Sequence, residues 1–149
     1  MSSREEVTAK ISSKKVELGL TWRGIAAQLG TSSPVLYTAA LLGQMTLAAD
    51  EAAKAAIIFG LTKEEAAWLV LPPERGASAI MPPTDPLIYR FYELISVYGT
   101  TFKELIHEEF GDGIMSAIDF NMTIDREPDP KGDRVKIGMS GKFLPFKRF

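Results

Sequence analysis

The sequence predicts an α+β chain, with an all-helical N-terminal part followed by a smaller C-terminal part in which helix gives way to strand. Three observations lead there. Apolar residues recur at helical spacing through the first half. Prolines, a glycine and small residues break that pattern in Leu71-Pro72-Pro73-Glu74-Arg75-Gly76-Ala77-Ser78. Clean alternation of apolar and polar residues appears only from Ile118 onward. The predicted division is therefore a helical bundle over 1–75 and a second domain over 76–149. With 149 residues, 46% of them hydrophobic, the chain can bury a core.

In the first half, Val7, Ile11 and Leu18 mark one helix, Trp22, Ile25, Ala26 and Leu29 a second, and Val35, Leu36, Ala39 and Leu42 a third. Gly30 and Gly43 are placed to end the second and third. Thr31, Ser32 or Ser33 can cap the third, with Pro34 in its first turn. Thr62-Lys63-Glu64-Glu65 has the form of a capping box and opens a last short helix through Trp68.

Beyond the boundary, Thr84 or Asp85 before Pro86 starts a helix with Leu87, Ile88, Phe91, Leu94, Ile95 and Tyr98 as its apolar residues, and Gly99 is expected to stop it. A further helix is expected over Thr101–Phe110. Gly111-Asp112-Gly113 then breaks the chain before a short helical turn carrying Ser116. Ile118, Phe120, Met122 and Ile124 alternate with Asp119, Asn121, Thr123 and Asp125, which reads as a strand. Val135, Ile137 and Met139 form another after the polar connection Arg126–Asp133, so the two can pair as a hairpin or reach other strands.

Two strands alone are marginal in water. The aromatic residues Tyr89, Phe91, Tyr92 and Tyr98 spread around their helix, and the tail Phe143-Leu144-Pro145-Phe146-Lys147-Arg148-Phe149 is apolar. Both features predict an obligate oligomer.

Composition narrows the chemistry. No cysteine and a single histidine, His107, exclude disulfides, thiolate nucleophiles, zinc clusters and catalysis by paired imidazoles. No apolar run approaches the length of a membrane span, and the polar N-terminus lacks a signal-peptide core, so a soluble cytoplasmic protein is expected. Net charge is -2, which offers no strong field for nucleic acid or anionic membranes. The run from Thr21 to Pro34 followed by another helix looks like a repressor-type helix-turn-helix. Yet Ser33–Gly43 holds no Arg, Lys, Asn or Gln to read base edges, and residues 1–75 balance eight basic against eight acidic side chains. A DNA-binding regulator with an anion-sensing dimerisation domain is the alternative to an enzyme.

Arg90 and Glu93 stand three residues apart on one helix, the spacing at which their side chains meet. A surface ion pair accounts for such spacing, but the surrounding aromatics suggest a buried Arg whose planar fork, fixed by Glu93, receives a small anion. Ser116 can add a hydroxyl and helix-start amides, or serve as an ordinary cap. Glu104-x-x-His107 occurs once, without a second histidine, and reads as a solvated helix face instead of a metal site. Gly111-Asp112-Gly113 follows a helix and lacks the third glycine of a dinucleotide fingerprint.

Pro83-Thr84-Asp85-Pro86-Leu87-Ile88-Tyr89-Arg90-Phe91-Tyr92-Glu93, then Val97-Tyr98-Gly99-Thr100-Thr101, then His107-Glu108-Glu109-Phe110-Gly111-Asp112-Gly113-Ile114-Met115-Ser116-Ala117-Ile118, together with Gly141-Lys142-Phe143-Leu144-Pro145 and the terminal Phe149, resemble the cyanase (cyanate hydratase, cyanate lyase) family over essentially the whole chain. The resemblance implies bicarbonate-dependent conversion of cyanate to carbamate and carbon dioxide, carbamate then giving ammonia and carbon dioxide. It assigns catalysis to Arg90, Glu93 and Ser116, with Ile114 and Leu144 bordering the substrate pocket. It also implies a homodecamer, a pentamer of dimers with intertwined C-terminal strands and active sites between subunits. No metal or organic cofactor is implied; bicarbonate is a co-substrate.

Overall fold

Local caps set the first helices of the chain, whose computed structural model describes residues 1–76 and 81–149. Ala77 and Ser78, the end of the predicted linker, lie outside the described residues. The chain divides into two compact units, Met1–Ala77 with Met122–Gly138, and Ser78–Asn121 with Met139–Phe149.

In the first unit α1 spans Arg4–Glu17, α2 Trp22–Leu29, α3 Pro34–Leu41, α4 Ala49–Phe59 and α5 Lys63–Trp68. Ser3 and Thr62 cap α1 and α5 through full capping boxes, each closed by a glutamate at the third helical position, Glu6 and Glu65. Ser33 caps α3, with Pro34 pre-set in its first turn. Gly30 ends α2 as expected. At the end of α3 the chain turns through Leu42 into Gly43, whose φ of 85° suits glycine.

Three details differ from the spacing rules. The helix α4 was not marked by them; it is alanine-rich, and its inward face is carried by Ala52, Ala55 and Phe59 instead of a stripe of large residues. Leu18 is the exposed cap beyond α1 and does not pack. On α3 the buried residues are Tyr37, Ala40 and Leu41, while Val35, Leu36 and Ala39 are half-buried and Leu42 is exposed. That helix is apolar nearly all round, so periodicity could not choose its inward face.

Val7, Ile11, Ile25, Leu29, Tyr37, Leu41 and Phe59 form the centre of the core. Removing such side chains from water supplies about 1.5–3 kcal/mol each. The buried Tyr37 hydroxyl is satisfied on both sides: it donates to Glu51 Oε1 at 2.9 Å and accepts from the Ser32 amide at 3.2 Å. The turn between α2 and α3 is thus tied to α4.

The same unit contains the far part of a hairpin. Strands β1, Gly113–Glu127, and β2, Arg134–Pro145, form a two-stranded sheet, and the short connection makes them antiparallel. Arg126 pairs with Asp133 across the connection at 2.8 Å. Ser33 Oγ donates to the Met122 carbonyl at 2.9 Å, and the Arg23 guanidinium donates to the Ile124 carbonyl. Two outward carbonyls of β1 are therefore capped by the helix-turn-helix segment.

In the second unit α6 runs unbroken over Pro86–Phe110. Asp85 caps it by accepting from the Leu87 and Ile88 amides, both at 3.0 Å. The expected stop at Gly99 is absent. A glycine ends a helix by taking a positive φ, and here Gly111, with φ 89°, does so. Gly99 stays helical at the cost of roughly 1 kcal/mol relative to alanine, too little to break 25 residues. The expected helical turn around Ser116 is also corrected: β1 already begins at Gly113, because pairing with β2 extends the strand past its alternating stretch. No residue of α6 is buried within one chain, and Leu87, Ile88, Phe91, Leu94, Ile95 and Phe102 are exposed.

Candidate functional site

Arg90 lies in the second turn of α6 and Glu93 one turn on, so the helix itself brings the two together. Arg90 Nη1 donates to Glu93 Oε2 at 3.1 Å, and the guanidinium carbon stands 5.7 Å from the centre of the Tyr89 ring. The expected burial of Arg90 is not found in the single chain: the Arg90 and Glu93 side chains are 64% and 51% exposed. Tyr89 is half-buried, but Phe91 and Tyr92 are exposed, so they shield nothing until another surface meets them. With one guanidinium edge held by Glu93, the remaining N–H groups form a planar fork open to an anion.

Ser116 differs in both place and environment from expectation. It is the buried polar residue of β1, at 5% exposure. Its Oγ accepts from the Ile118 amide at 3.0 Å and the Asp119 amide at 2.9 Å. These amides are consequently not free to receive an anion, as helix-start amides would have been. A hydroxyl has two acceptor lone pairs and one proton, so Ser116 retains the role of donor.

Ile114 and Leu144 lie on β1 and β2, exposed at 50% and 40%. Ile114 lines a cavity of about 370 Å³ together with His107, Gly113, Met115 and Phe146. His107 contacts the Gly113 carbonyl through Nε2 at 3.2 Å, so it is committed to the junction of α6 and β1 and not to a pair with Glu104. Among the described residues no group of three or more His, Asp or Glu side chains could hold a metal ion. No described helix is long and apolar enough to cross a membrane.

The structure brings Arg90 and Glu93 together but leaves Ser116 without a hydrogen bond to either. Seventeen residues of α6 separate Arg90 from His107, about 26 Å at the helical rise. His107 holds Gly113, and Ser116 follows only three residues later, a reach of roughly 10 Å in a strand. Within one chain Ser116 therefore sits nearer the opposite end of α6 from Arg90. The spacing of Arg90 and Glu93 was visible in the sequence. The capture of Ile118 and Asp119 by Ser116 was not, because it depends on where β1 begins.

An α+β chain presenting a guanidinium fork, its orienting carboxylate and a hydroxyl donor has the makings of an anion-handling enzyme. Comparison with known proteins makes this particular. Residues 4–73 match the family model "Cyanate hydratase, N-terminal", and residues 80–148 match "Cyanate lyase C-terminal domain". A cyanate hydratase of Methylibium petroleiphilum is 61% identical over 147 residues, covering 99% of each chain, and one of Albidiferax ferrireducens is 58% identical over the same share. The crystal structure of cyanase from T. urticae superposes with a TM-score of 0.78 at 40% identity, covering 93% of this chain and 96% of that one. The chain belongs to the cyanate hydratase family, a family of lyase-type enzymes. The helix-turn-helix segment is correspondingly spent on structure: its Arg23 and Ser33 are bound to hairpin carbonyls.

Proposed function

We propose that this chain catalyses the bicarbonate-dependent decomposition of cyanate. Cyanate, bicarbonate and one proton give carbamate and carbon dioxide; carbamate with a second proton gives ammonia and carbon dioxide. The observation that carries the reading is the Arg90–Glu93 pair, which orients a guanidinium while leaving its fork open, in a chain whose relatives bear the name cyanate hydratase. Two monoanions held about 4 Å apart repel by about 4 kcal/mol at an effective dielectric near 20. Arg90 offsets that repulsion and stabilises the dianionic species between them. Glu93 orients Arg90, and Ser116 donates a hydrogen bond to an oxygen or nitrogen of the anion. Bicarbonate supplies the attacking oxygen, so no protein nucleophile is required and positioning provides much of the rate. Ile114 and Leu144 border the pocket. The reaction runs without metal or organic cofactor.

The site is completed by other copies of the chain. Two features support this: the uncovered apolar surface of α6 and the distance along α6 between Arg90 and the start of β1. The proposed assembly is a decamer, a pentamer of dimers with intertwined C-terminal strands, working in the cytoplasm. The helical bundle of residues 1–75 serves assembly, and residues 76–149 carry dimerisation and catalysis. Ammonia release from cyanate with and without bicarbonate tests the reaction, and the mass of the particle in solution tests the assembly.

A further inference from the structure

The geometry points to Gly141 as a positioning residue for Ser116: the missing side chain lets β2 press against the Ser116 backbone and hold its hydroxyl in place. This rests on the reading of Ser116 as the donor to the anion. A Cβ on Gly141 would lie inside 3.0 Å of the Ser116 carbonyl oxygen and 2.6 Å from Met115 Cγ. The methionine can move; the carbonyl is backbone, so the strands must part by more than half an ångström. Gly141 is not among the positive-φ glycines, so space and not backbone conformation is what the position requires.

The stretch is clamped at its other end as well. A Cβ on Gly113 would meet the Leu144 carbonyl and, at 2.5 Å, Phe143 Cζ. Between these two close approaches β1 has little freedom, and Ser116 Oγ lies where the Ile118 and Asp119 amides reach it. Parting the strands at Gly141 turns the Ser116 peptide and moves the hydroxyl off those amides. Gly138, three residues earlier on β2, provides the contrast. There a Cβ would meet only Thr123 Oγ1 at 2.9 Å, the end of a side chain that can rotate away.

The test uses the full-length assembled protein carrying G141A, G138A, M115A or M115A/G141A. Folding and particle mass are checked first, then kcat and KM for cyanate at saturating bicarbonate, with hydrogen exchange at the Ile118 and Asp119 amides. G141A is expected to lower kcat about 100-fold, with a much smaller change in KM, and to speed exchange at both amides. G138A is expected to stay near wild type. M115A/G141A is expected to remain as slow as G141A, because the carbonyl obstacle persists. Should G141A alone fail to assemble, the double variant, relieved of the methionine, carries the same expectation against M115A. Wild-type kcat and exchange in G141A, or recovery in the double variant, would overturn the proposal. A wild-type protein inert toward cyanate would instead refute the functional reading, and amide exchange would still judge the role of Gly141.

Discussion

Replacing Arg90 by lysine keeps the charge and removes the fork. Nη1 of Arg90 is engaged with Glu93 Oε2 at 3.1 Å, leaving the other guanidinium N–H groups to face an anion in one plane. A lysine ammonium is a point donor that cannot hold Glu93 and grip two anion atoms in the same geometry. Hydrogen bonds to charged groups contribute about 1.5–3 kcal/mol each. Losing one of a parallel pair therefore lowers kcat/KM about 10- to 100-fold, and lost orientation extends the deficit toward the upper figure. The fold of the single chain should hardly move, because within one chain an ion pair this exposed contributes about 0–1 kcal/mol. The assay is ammonia release from cyanate at saturating bicarbonate, paired with a denaturation curve. An Arg90→Lys protein with full activity would refute the role assigned to the planar fork. An inactive protein whose single-chain fold was also lost would refute the claim that the side chain is dispensable to the fold of one chain.

Ser116→Ala removes both the donor and the acceptor of two backbone amides, so activity should fall and stability should drop by about 1–3 kcal/mol for each amide left unpaired; Ser116→Thr should keep much of both, as read by denaturation and ammonia release. Tyr37→Phe leaves the Ser32 amide and Glu51 without their buried partner and should cost about 1–3 kcal/mol in thermal or chemical unfolding. The Glu65 carboxyl is held below its ordinary range chiefly by the Lys10 ammonium at 2.7 Å, with the Thr62 amide assisting. A depressed folded value means the stabilisation is present above the ordinary carboxylate range and is lost as pH falls through the folded value. Glu65→Gln should thus lower stability near neutrality, where the charged pair is formed, and change little at acid pH, where the wild type has already lost it, so the acid slope flattens; an unchanged acid slope would contradict the pairing.

The parts legible in the sequence are those decided locally. Ser33-Pro34, Thr62 with Glu65, and Asp85-Pro86 announce helix starts because a cap and its partner lie within four residues. Arg90 and Glu93 were legible for the same reason, since helical spacing alone makes them neighbours. What could not be read depends on distant partners. Gly99 looks like a stop until Gly111 is seen to take the positive φ. Ser116 looks helical until β2, some 25 residues later, draws it into a strand. The exposure of Arg90 likewise reflects that no residue of α6 is buried within one chain, which no pattern within the helix could reveal. Family resemblance supplied the role of Ser116, because no spacing rule joins it to Arg90.

The most direct test of the reaction is to supply cyanate to the purified protein in solution freed of carbon dioxide, then add bicarbonate, following ammonia and carbon dioxide together. Negligible ammonia is expected before the addition, and afterwards one ammonia and two carbon dioxide for each cyanate consumed. Ammonia released at the same rate without bicarbonate, or none released with it, would contradict the account.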